Sequence, residues 1–265
     1  MTVAGTRASP PRARARSVAA ALVLLAAGRE TVASARPFVV AVDPGHGGSN
    51  LGAAGVAGTA GSKGPIFEKR VTLELARRLR ARLSSDERVQ VVLCRDEDVL
   101  IPIRARARCV QAARADLFIS LHANASPPGV VPGTRRGFEI YILSPQEIED
   151  DAALAAARQP DDADGAWEAH RVRGDAVRAA GAARLMERHL RDTLGPGSSR
   201  GIRQRGAALD VLREAGAPGI LIEVGFLDHP DESAALASPN GQERIAAALA
   251  KAVLEFRSEF VPEHR

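Results

Sequence analysis

Two histidines in this sequence follow short apolar runs at equivalent points. His46 lies in D-P-G-H-G-G, directly after Phe38–Asp43, and His122 lies in S-L-H-A-N, directly after Leu117–Leu121. A third run, G-I-L-I-E-V-G-F at 219–226, carries Glu223 among apolar neighbours, with no Lys or Arg within five residues on either side. An ionised carboxylate in such a strand costs several kcal/mol unless it is paired, hydrogen-bonded or beside a cation. A bound metal ion would remove that cost. Two neutral imidazoles need a third, preferably anionic, ligand to hold a divalent ion, and two histidines with one glutamate and an open position form a catalytic zinc set. Glu68 is the best-placed acid, because it opens the first predicted helix just after the Gly-rich stretch that follows His46. Each residue also has an ordinary explanation. A histidine at a strand end is commonly a hydrogen-bonded rim residue, and an acid in the first turn of a helix is favoured by the macrodipole. The Gly-rich turn lacks both the G-x-G-x-x-G spacing and the G-K-[ST] ending of phosphate loops, which counts against nucleotide chemistry. On residue types alone, the metal constellation and the structural readings both stand.

Alternating elements must position these residues. Phe38–Asp43, Val89–Leu93, Leu117–Leu121, Phe138–Leu143 and Gly219–Phe226 read as buried strands. Between them, helices are predicted from about Glu68 to Leu83, with Val71, Leu75, Leu79 and Leu83 four residues apart, from Ile103 to Arg114, and over 173–194. A last helix, about 242–260, places Ile245, Leu249, Val253, Phe256 and Phe260 on one stripe. Apolar strands alternating with amphipathic helices predict a single α/β domain whose sheet is covered on both faces. In such sheets the loops beyond the carboxyl ends of the strands build the site, so His46 and His122 converge if their strands are parallel neighbours. The segment from Ser144 to Arg173 fits least well. It is polar and acidic, and reads either as a solvated helix over 146–158 or as an inserted lid.

Composition narrows the function classes. The chain has 265 residues with a formal charge of +4, but residues 1–35 hold five arginines against one acid. The remainder carries 31 basic and 31 acidic residues, and aromatics are only 3% of the chain, so nothing supports nucleic-acid binding. Arg12, Arg14 and Arg16 precede the apolar run Val18–Gly28, and Ala33-Ser34-Ala35 follows it. These are the parts of a secretory signal peptide, with cleavage expected after Ala35 and no membrane span afterwards. Export would permit a disulfide between Cys94 and Cys109. Two buried thiols fit those positions equally well.

The stretches D-P-G-H-G-G (43–48), F-E-K-R-V-T-L-E-L-A (67–76), C-R-D-E-D (94–98), A-D-L-F-I-S-L-H-A-N-A (115–125) and P-G-I-L-I-E-V-G-F-L (218–227) together resemble the zinc-dependent N-acetylmuramoyl-L-alanine amidases of bacterial cell-wall turnover, the amidase type 3 family. The resemblance covers about residues 37–260. It implies a mixed, mostly parallel sheet of about six strands and a catalytic domain over 36–265. It also implies one Zn2+ held by His46, Glu68 and His122, with Glu223 as the catalytic glutamate, while Arg95 and Arg106 fall on family arginines with a structural role. Cys94, Gln111 and Asp228-His229 depart from the residues common at those positions, but none is a proposed ligand. The implied reaction is hydrolysis of the amide between N-acetylmuramic acid and L-alanine in peptidoglycan, by an exported protein of the periplasm or cell wall expected to be a monomer. Some family members of daughter-cell separation carry an inhibitory helix in this part of the chain, and the length, position and acidity of the insert give the expectation that residues 146–170 cover the site until a partner protein acting on 144–173 moves them. The alternatives are a zinc hydrolase of the same fold cutting another peptidoglycan amide, and an inactive wall-binding module.

Overall fold

The strands and helices follow the hydrophobic patterning closely. In a computed structural model that describes residues 1–2, 36–58, 64–158, 163–204 and 209–260, the strands are β1 (Phe38–Pro44), β2 (Val89–Leu93), β3 (Leu117–Asn124), β4 (Phe138–Ile142), β5 (Ser199–Gln204) and β6 (Gly219–Phe226). The helices are α1 (Glu68–Leu83), α2 (Ile103–Ala113), α3 (Pro145–Arg158), α4 (Ala163–Leu194), α5 (Asp210–Ala215), α6 (Pro230–Ala237) and α7 (Pro239–Phe260). The leader expected over 1–35 lies, apart from Met1 and Thr2, outside the described residues. Among those residues no helix is long and apolar enough to cross a membrane.

The six strands form one sheet in the order β2-β1-β3-β6-β4-β5. β1 pairs in parallel with β2 and β3, and β3 in parallel with β6. β4 runs antiparallel to β6, and β5 runs parallel to β4. The sheet is thus mixed and mostly parallel, as expected. Side chains alternate along each strand. Val40, Val42, Ile119, Leu121, Ile220 and Ile222 face the layer of α1, α4 and α7, whereas Ala41, Phe118 and Leu221 face α2 and α5. Following that second face toward the carboxyl ends, the alternation continues through Asp43, Ser120, His122 and Glu223. The face changes there from apolar to polar, and the chemistry begins.

Three elements were not legible from periodicity: β5, α5 and the 8-residue α6. β5 reads S-R-G-I-R-Q, has one apolar side chain and lies at the sheet edge, half covered. α5 spans only 6 residues, too few to show a helical period. The polar segment from Ser144 is helical, in line with the solvated-helix reading. Ser144 and Glu147 form a reciprocal capping box, with the Ser144 amide donating to Glu147 Oε2 at 2.8 Å and the Glu147 amide donating to Ser144 Oγ at 3.3 Å, and Pro145 stands first in α3. α4 starts ten residues before the expected 173, and Arg171 pairs there with Glu168 and Asp175 along its surface.

The expectation that 146–170 covers the site is corrected by this packing. Asp151 pairs with Arg213, Glu149 with Arg173, and Arg171 donates to the Gly216 carbonyl, just before β6 begins. Trp167 lies with Arg36, Phe38 and Pro218 beside the amino ends of β1 and β6. The described part of the insert is therefore fastened to the end of the sheet opposite His46 and His122, because β4 runs against β6 and delivers the chain there.

Cys94, just after β2, and Cys109, in α2, form a disulfide across a sequence separation of 15 residues. Closing a loop of that size constrains the unfolded chain by about 3 kcal/mol. A Cys94→Ser/Cys109→Ser protein is expected to lose about 2–3 kcal/mol in urea unfolding while keeping its secondary structure by circular dichroism. An unchanged urea midpoint would show that the bridge contributes nothing.

Candidate metal centre

His46 sits in the turn that leaves β1, and that turn is tied down by two buried arginines. Arg106 pairs with buried Asp43 and donates to the carbonyls of Pro44 at 2.7 Å and His46 at 2.6 Å. Arg95 donates to the carbonyls of Pro44 at 3.0 Å and Gly45 at 2.8 Å, and also to the Lys69 carbonyl at 2.7 Å. Three consecutive carbonyls are thereby satisfied, so the turn can be buried without orphaned acceptors. His46 itself has φ 61°, a left-handed conformation that side chains rarely adopt and that persists only when its surroundings enforce it.

His122 lies on β3 itself, which runs three residues past its expected end. Its Cα is paired with that of Glu223 on β6, so the second histidine and the isolated acid are cross-strand neighbours. The register shifts immediately afterwards, between His122 and Asn124, as happens where a sheet re-aims side chains beside a site.

Glu68 joins the two histidines. Its Oε2 is 2.9 Å from His46 Nε2 and its Oε1 is 2.9 Å from His122 Nδ1. Its oxygens also accept the backbone amides of Ala53 at 2.8 Å and Ala123 at 3.0 Å. The carboxylate does not cap its own helix: it is turned away from the α1 backbone and held by two other segments. Burial opposes its ionisation, but hydrogen bonds from His122 and His46 overcome that and hold the carboxyl well below the ordinary carboxylate range. One ligand atom from each of His46, Glu68 and His122 can be chosen so that all lie within 4.8 Å of one another, a group able to hold a metal ion. The two imidazoles remain 23% and 21% exposed, so solvent reaches them.

Glu223 is the acid left over. It is partly exposed as a residue, yet its Oε2 is buried and has no hydrogen-bond partner among the described residues. Burial pushes its pKa up to about 7. A buried carboxylate oxygen without a donor, next to two histidines and a glutamate, is the arrangement expected where a cation belongs. The donor set of His46, Glu68 and His122 therefore fits a divalent metal, and Glu223 lies beside it as the cross-strand neighbour of His122.

Sequence reasoning missed the supports. Asn50 Oδ1 lies 2.9 Å from His46 Nδ1, which leaves Nε2 facing Glu68. Gly45 and Gly52 let the backbone pass against the cluster. A Cβ on Gly45 would stand 2.4 Å from His122 Cε1, and one on Gly52 would meet Glu68 Oε2 at 2.5 Å with φ already at +67°. The Gly-rich composition of the stretch was the visible signal, but its purpose depends on contacts distant in sequence.

These contacts generate a prediction. Gly45→Ala should push the His122 imidazole aside, and Asn50→Ala should release His46. Each is expected to weaken zinc binding about 10–100-fold in competition with a chromogenic chelator, without loss of the folded circular dichroism spectrum. Parent-like affinity in both variants would remove these supports from the site.

A family model described as N-acetylmuramoyl-L-alanine amidase matches residues 40–255. The endolysin of Bacillus phage SPP1 is 31% identical over 217 residues, covering 82% of this chain and 65% of its own length. The N-acetylmuramoyl-L-alanine amidase AmiC of Escherichia coli O6:H1 is 29% identical over 227 residues, covering 81% of this chain and 51% of its own length. The chain thus spans about half to two thirds of these curated relatives. The crystal structure of the N-acetylmuramoyl-L-alanine amidase from Clostridium difficile 630 matches with a TM-score of 0.65 at 26% identity, over 85% of this chain and 100% of that one. Motifs, sheet order and the family match converge, and this chain belongs to the N-acetylmuramoyl-L-alanine amidase family.

Proposed function

We propose that this protein hydrolyses the amide between N-acetylmuramic acid and the L-alanine of the peptidoglycan stem, with zinc held by His46, Glu68 and His122 and with Glu223 as the catalytic glutamate. The observation that carries the reading is the clustering of three ligand atoms within 4.8 Å beside the undonated Oε2 of Glu223. When bound there, zinc supplies Lewis-acid polarisation of the scissile carbonyl and activation of the attacking water.

The residues of the chain do the rest. Asn50 fixes the His46 ring, and the amides of Ala53 and Ala123 fix Glu68, so little reorganisation accompanies metal entry. Glu223 Oε2, with no competing donor, takes a proton from the attacking water as its oxygen bonds to the carbonyl carbon. The same oxygen then returns the proton to the alanine nitrogen as the C–N bond breaks, leaving a free amine and a lactyl carboxylic acid, which loses its proton to water at neutral pH. Its raised affinity for a proton suits a group that must both accept and release one near neutral pH.

Export to the periplasm or cell wall also belongs to this proposal. It is supported by the basic-then-apolar leader ending in Ala33-Ser34-Ala35 and by the Cys94–Cys109 disulfide, which persists in oxidising compartments. A partner acting on 144–173 would grip the far end of the sheet, so an inhibitory cover over the metal site is not part of the reading.

The test is purified protein stripped with a chelator and refilled with zinc. It should release intact stem peptides beginning with L-alanine from sacculi, as seen by mass spectrometry, and the stripped protein should not. Fragments cut within the stem would instead point to another amide. Glu223→Gln should keep stoichiometric zinc yet lose about 100-fold or more in turnover. If that variant retains parent-like turnover, Glu223 has no part in proton transfer.

A further inference from the structure

One strand beyond Glu223 lies a second polar feature that neither the proposed ligands nor the proposed base uses. A cavity of about 430 Å³ is lined by Asn124, Glu139, Phe226 and three arginines, Arg135, Arg200 and Arg203. Glu139 is paired across the strands with Glu223, and Asn124 follows His122 by two residues, so the cavity neighbours the candidate metal centre. Its one acid is already engaged. Glu139 Oε1 accepts Arg200 Nε at 2.6 Å, and Oε2 accepts the Asn124 amide at 3.1 Å and the Tyr141 hydroxyl at 2.5 Å. Arg200 also lies over the Phe226 ring, with its guanidinium carbon 5.3 Å from the centroid. Arg203 stands only 3.9 Å from Glu139 and is half exposed, while Arg135 has no ion-pair or hydrogen-bond partner among the described residues. Three guanidiniums against one saturated carboxylate leave a concave, positively charged site with free donors.

We propose that this pocket binds a free carboxylate on the peptide side of the scissile amide, and so selects stems whose second residue carries an α-carboxylate over those in which it is a carboxamide. The inference rests on the amidase reading above and gives it a specificity determinant. The chemistry of the bond decides the side. On the glycan side the lactyl carboxyl is consumed in the amide, so the sugar offers no anion there, whereas the departing peptide does. The dimensions agree. Neighbouring strands are about 4.8 Å apart, and two residues of extended peptide span about 7 Å from the scissile nitrogen, which reaches from Glu223 to the β4–β5 side of the sheet. Arginine offers paired donors matched to a carboxylate, and Arg135, together with Arg203, whose one ion pair is a long 3.9 Å contact with Glu139, can supply them.

The experiment compares two synthetic muramoyl dipeptides that differ only in whether the second residue bears a free α-carboxylate or a carboxamide. The zinc-loaded parent should favour the carboxylate by about 10-fold or more in kcat/KM, expressed chiefly in KM. In Arg135→Ala/Arg203→Ala that ratio should collapse to within about twofold, and Arg135→Lys/Arg203→Lys should retain part of it. Zinc stoichiometry and melting midpoint report whether the variants are intact. Equal use of both substrates by the parent, or an equal proportional loss on both in the alanine variant, overturns the pocket but leaves the amidase reading standing. If neither substrate is cleaved, the amidase reading fails. Calorimetric titration of the zinc-loaded parent with the two free alanyl dipeptides then decides the pocket alone: tighter binding of the carboxylate form supports it, and equal binding ends it.

Discussion

The site depends on the grip of Arg95 and Arg106 on the turn after β1. A turn that bends a histidine back over a sheet edge exposes its carbonyls to the interior, and each buried acceptor left without a donor costs about 1–3 kcal/mol. Here the carbonyls of Pro44, Gly45 and His46 are all taken by guanidinium donors, and Thr72 Oγ1 adds a second donor to Gly45 at 3.0 Å. Arg106 is tolerable inside because it pairs with Asp43, whose other oxygen accepts Ser120 Oγ at 3.2 Å, and Arg95 because its donors are spent on backbone carbonyls. That arrangement holds the backbone of His46 at φ 61°, while Asn50 holds its ring toward Glu68.

Charge is then distributed so that one acid stays available. Four carboxylates, Asp43, Glu68, Glu139 and Glu223, gather on the strand ends and the start of α1. Asp43 is answered by Arg106, Glu139 by Arg200, and Glu68 by two imidazoles and two backbone amides. Glu223 receives no hydrogen bond at Oε2, although it is the cross-strand partner of both His122 and Glu139. If its function were structural, the adjacent Asn124 amide could have been spent on it, but that amide donates to Glu139 instead. The unsatisfied oxygen is costly to folding and useful to proton transfer, as expected of a group kept for chemistry.

The sequence carried the candidate metal-binding residues and the parallel half of the sheet because both are local signals repeated in register. Apolar runs such as Leu117–Leu121 end where polar residues begin, and Glu68 opens a clean four-residue apolar period. What stayed hidden was set by contacts between distant segments. Asn50 is one polar residue in a Gly-rich loop until His46 Nδ1 is seen beside it. Gly45 reveals its purpose only when the His122 ring is placed against it. β5 has too little apolar surface to announce itself, since an edge strand buries one side. The acidity of 144–173 suggested a regulatory cover, but acidity reports only solvation and contact with arginines, here Arg213 and Arg173, and says nothing about which end of the sheet is covered.

The reversal of direction between β6 and β4 explains both halves of that outcome. A fully parallel sheet would have returned the chain after each helix to the amino end of the next strand, leaving only loops at the carboxyl edge. Because β4 and β5 run the other way, they begin at that edge: Glu139 enters opposite Glu223, and Arg200 enters two positions into β5 beside it. The same reversal sends the chain leaving β4 to the far end, where Ser144 starts α3 away from the metal ligands. One change of strand polarity thus places a rigid, basic wall next to the proposed base and removes the acidic insert from it. An acidic segment beside three arginines would have neutralised the pocket that the fold leaves open to an anion.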